Sequence, residues 1–185
     1  MIVSTDIRLS SMVSCLQNVV LPALEDNEFA ADQVRLTIAH LRALREQSGY
    51  THDFERLEYL YYRNLSRKVL ERSDGGSATR SAADALDREL ECPIPESATE
   101  FREAARTLSG ALVSFIQSQE VDGTPEAINW SNRAVLDGEH DQSLRDRAFF
   151  SPFNYDAGST EVDSIKSMMT SFRIEAKNME EDTAK

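Results

Sequence analysis

Residues 9–24 read LSSMVSCLQNVVLPAL, sixteen positions without an Asp, Glu, Lys or Arg in a chain of which 28% is charged. Leu9, Met12, Val13, Leu16, Val19, Val20, Ala23 and Leu24 recur at helical spacing and form one broad apolar arc. The other positions include Ser10, Ser11, Ser14, Gln17 and Asn18, small or neutral groups where a solvated helix carries charges. The pattern predicts a helix from about Thr5 to Leu24 that is buried on more than one side. Another helix of the same chain, a second subunit or a ligand would supply the second cover. Pro22 lies in the last turn and cannot donate to the carbonyl of Asn18, so this end is expected to kink or loosen.

Working outward, the next segments are also helical. A helix from about Glu28 to Gln47 stops at Ser48 and Gly49, and its charges Glu28, Asp32, Arg35, Arg42 and Glu46 are confined to one narrow sector. It is therefore expected to be mostly enclosed. Thr51 to Arg72 follows, with Phe54, Leu57, Tyr61, Leu65 and Val69 facing inward and a wet outer face; Asp74, Gly75, Gly76 and Ser77 break it. A shorter helix covers about Ala78 to Glu91. Ser97 and Glu100 have capping-box spacing and open a helix to about Gln119, whose stripe runs from Phe101 to Ile116. Beyond Gly123, Thr124 and Pro125 start a short helix to about Leu136, ended by Asp137 and Gly138, and a second covers about Asp141 to Arg147. An aromatic loop, Phe149 to Tyr155, precedes a last helix. There Val162, Ile165, Met169, Phe172, Ala176 and Met179 alternate in steps of three and four, the spacing of a helix laid against another helix.

The fold expected is all-α: a mostly antiparallel helical bundle over residues 1–120, with a C-terminal helical extension over 121–185 packing on the bundle or on a partner subunit. With 185 residues the chain is long enough for one compact core. Its net charge of −12 opposes binding to nucleic acid or to an anionic membrane, since both attract Lys and Arg. Cys15 and Cys92 are too few and too scattered for a disulfide framework or a zinc motif, which fits a reducing, cytoplasmic setting. Met12 to Cys15 resembles the pattern before a lipidated cysteine in bacterial lipoproteins, but Asp6 and the serines at 10, 11 and 14 break the apolar core of an export signal. The apolar run also falls short of a membrane span.

Chemical motifs are sparse. His40, His52 and His140 do not follow a Glu at the spacing of a di-metal carboxylate bundle, so neither a metal nor another cofactor is expected. The acidic segment Asp137–Asp141 reads as one helix end followed by another start. No nucleophile elbow or phosphate loop occurs, and no catalytic residue is assigned. One constellation stands out. His40, Gln33 and Thr37 project inward from the second helix and Ser14 and Asn18 from the first, which predicts an uncharged polar layer or pocket inside the bundle. The first functional expectation is a non-enzymatic interaction or structural module acting as a homodimer. Its interface would use Ser10, Gln17 and Leu21 of the first helix and the stripe Val162, Ile165, Met169 and Phe172, with another protein as a further partner. The alternative is a small-molecule-binding or enzyme-accessory protein that uses the polar pocket.

Overall fold

The computed structural model describes residues 4–24, 27–150 and 164–171. The chain is all-α, and among the described residues the only β pairing is one isolated bridge, Gly75 with Gly123. The helices are α1 (Thr5–Cys15), α2 (Glu28–Ser48), α3 (Thr51–Leu70), α4 (Ser77–Leu90), α5 (Ala98–Asp122), α6 (Pro125–Phe150) and α7 (165–171). They divide into two compact units. One holds the described residues to Thr51 and those from Arg145 to Thr170; the other holds His52–Leu144 and Ser171. The boundaries differ from the division at residue 120 expected from the sequence, because α6 contributes to both units.

In the first unit, α1 and α2 pack as a hairpin. Ser4 caps α1 by accepting from the Ile7 amide, and Asn27 caps α2 by accepting from that of Ala30. Between them Pro22 acts as its chemistry requires. The helix widens into a π-helical turn, Leu16–Val20, where the Leu21 amide donates to the Leu16 carbonyl at 2.8 Å, and then tightens into a 3-10 turn, Pro22–Leu24. Farther along α2, buried Gln47 donates from Nε2 to the carbonyl of Phe149, fixing the end of α6 within this unit. Ser164 opens α7 by accepting from the Ser167 amide, and Ile165, Met168 and Met169 are buried.

The second unit is built around α3. Leu57, Tyr61, Leu65 and Val69 are buried as the periodicity predicts, while Phe54 is only half-buried. Glu55, Tyr59, Leu60 and Ser66 are buried too, so the expectation of a wet outer face fails and α3 is enclosed on several sides. The charge of Glu55 is met by Arg102 of α5, whose Nε donates to its carboxylate at 2.8 Å. Beside it, α4 and α5 form a hairpin. The capping box of α5 is present in both directions, Ser97 with the Glu100 amide and Glu100 with the Ser97 amide. Those amides, of Glu96 and Ser97, together with the Ser97 hydroxyl, hold the Glu100 carboxyl below the usual range.

At the far end of α5, Asp122 closes the N-terminus of α4. Its carboxylate accepts from the Thr79 hydroxyl at 2.6 Å and from the amides of Ala78 and Thr79 at 2.8 and 2.9 Å. The Thr79 hydroxyl first, then those two amides, keep the Asp122 carboxyl below its ordinary value.

One helix boundary differs outright from the sequence reading. Helix α6 runs without a break through Asp137 and Gly138, which were expected to end one short helix before another began. Gly138 is not a stop signal here. A Cβ at that position would lie 2.9 Å from the Tyr61 hydroxyl oxygen, so the glycine allows α3 and α6 to approach, and Tyr61 donates to Glu139 alongside at 3.3 Å.

Candidate interaction surface

The expectation that the charge-free run is buried on more than one side is overturned within the chain. Of α1 and its π-helical extension only Val13 is buried; Met12 is 48% and Val19 64% exposed. Nor is α2 mostly enclosed. It buries Ala31, Ile38, Ala43 and Gln47, whereas Phe29, Leu36 and Leu44 are exposed.

The inward polar layer does not form either. Ser14, Asn18, Gln33 and Thr37 are all exposed, and only His40 is half-buried. Thr37 donates its hydroxyl to the Gln33 carbonyl of its own helix at 2.8 Å, a local bond that leaves nothing to line a pocket. The neutral residues of α1 with long-range partners are two others. Gln17 accepts from Arg42 at 2.8 Å, and Ser10 accepts from Arg45 at 3.0 Å; Arg45 also pairs with Asp6 at 3.3 Å. These bonds place Ser10 and Gln17, expected at a subunit interface, on a polar edge inside the α1–α2 hairpin.

Rotation about each helix then fixes what lies on the other edge. At 100° per residue, Leu9, Met12 and the following Leu16 turn away from Ser10, on the side of α1 opposite that edge, whereas Val19 lies within the wider π-helical turn and does not continue that line. In an antiparallel pair the corresponding side of α2 carries Ala30, Val34, Thr37, Leu41 and Leu44. Leu9, Leu16, Val34 and Leu41 are half-buried, and Leu44 is 48% exposed. This second edge is bordered by exposed Arg8, one turn before Met12 on α1, and by exposed Arg45, one turn after Leu41 on α2. Leu21 is half-buried beyond the π-helical turn.

The remaining interface candidates do not join this surface. Ile165 and Met169 are buried within the chain, so they are not available to clasp a partner, because their burial is already complete. Val162 and Phe172 lie outside the described residues, as do residues 151–155 of the expected aromatic loop. The sequence reading missed the pairing along this hairpin: Arg42, within the sector that also carries Glu28, Asp32, Arg35 and Glu46, meets Gln17, and Arg45, outside that sector, meets Ser10.

Asp137, Glu139, His140 and Asp141 are exposed on one continuous helix, and among the described residues no group of three or more His, Cys, Asp or Glu is placed to hold a metal ion. Cys15 is a free, exposed thiol. The helical segment Thr5–Leu24 reaches 20 residues with a mean hydropathy of 1.3, and among the described residues it is the one helix long and apolar enough to cross a membrane. That corrects the expectation that the run is too short. A scan against protein-family models and searches of curated proteins and of solved structures returned no match. The surface is therefore read from its own geometry.

Proposed function

We propose that the protein is a non-enzymatic interaction module that acts as a cytoplasmic homodimer. The observation that carries this reading is the charge-free helix, in which, among the described residues, Val13 alone is buried while Met12 and Val19 are exposed. Apolar side chains that remain in water this way gain free energy when a second surface takes them up, in proportion to the area removed from water. Two chains each of charge −12 repel one another over most of their surface, and a neutral face is where that repulsion is weakest.

A soluble setting is supported over a bilayer by the polar edge of the hairpin. Arg42 and Arg45 are hydrogen-bonded to Gln17 and Ser10, so inserting α1 into hydrocarbon would break these bonds or carry guanidinium groups with it. The pocket reading loses support because Ser14, Asn18, Gln33 and Thr37 are exposed and enclose nothing. Light scattering on the purified chain tests the proposal. The expected mass is twice the 20.8 kDa of one chain; a monomer persisting across the micromolar range would overturn it.

A further inference from the structure

We draw no further inference here: the strongest candidate, the exposed apolar edge of the α1–α2 hairpin around Met12 and Leu44, carries nothing because nothing in the structure shows what covers it.

Discussion

Replacing Gln119 by methionine is expected to make the protein more stable, although it removes a fully buried polar residue. Gln119 lies on α5 with 1% of its surface exposed, and among the described residues neither its Oε1 nor its Nε2 has a hydrogen-bond partner. A buried amide that loses water without compensation costs about 1–3 kcal/mol. Methionine has nearly the same length and a similar helix propensity, so the exchange keeps the dispersion contacts and leaves α5 intrinsically unchanged. Imperfect refilling of the site subtracts up to about 1 kcal/mol, which leaves an expected gain of about 1–2 kcal/mol. Urea unfolding followed by circular dichroism reads this as a higher midpoint at unchanged slope, a shift of about 0.5–1 M for a slope near 2 kcal/mol/M. A companion Gln119→Ala removes the amide together with its stem and should fall below the methionine variant. A methionine variant less stable than the wild type by about 1 kcal/mol or more would refute the reasoning, because the amide would then be contributing a bond in the folded protein.

Two glycines of α5 and its end should respond in opposite directions. A Cβ at Gly123 would lie 2.6 Å from the Gln119 carbonyl oxygen, so Gly123→Ala is expected to cost about 1–3 kcal/mol; Gly110, in mid-helix with nothing within 4 Å, should gain about 0.5–1 kcal/mol as alanine. The Asp122 carboxyl, held below its usual range by the Thr79 hydroxyl and the Ala78 and Thr79 amides, adds stability that is fully present above the unfolded carboxylate value and lost as pH falls through the lowered folded one. Asp122→Asn should therefore flatten the acid limb of the stability profile below about pH 4, and an unchanged limb would count against that cap.

What could be read from the sequence was the chemistry of neighbours along the chain. Ser97 with Glu100, Gly49 after α2, and Thr124 before Pro125 all act where their spacing says, because a cap or stop is satisfied within one turn. Burial was legible only where apolar side chains alone decide it, as at Leu108, Leu112 and Phe115 of α5. It was not legible in α3. Glu55 reads as solvated until its partner, Arg102, is known, and that partner is 47 residues away. Gly138 failed in the same way, since what needs its missing side chain is Tyr61 on another helix. The candidate surface shows the converse. A run without charges was equated with enclosure, but neutrality states only that charge is excluded from a face, and two of the polar groups on that run, Gln17 and Ser10, accept from Arg42 and Arg45 of α2.

The open end of the α4–α5 hairpin, where α4 begins and α5 ends, also orders the chain as a set of nested brackets. The Gly76 amide donates to the Asp122 carbonyl and the Thr124 amide to that of Asp74, so the α4–α5 hairpin leaves and re-enters the chain at a single point. Outside it, α3 and α6 face one another, with the Trp130 indole donating to the Lys68 carbonyl and Tyr61 to Glu139. Outside those, Gln47 meets Phe149. Each pairing encloses the previous one, so a chain that folds from the innermost hairpin outward closes at every step only the short gap left by the last, and avoids the entropy of joining Gln47 to Phe149 across an open loop of about a hundred residues.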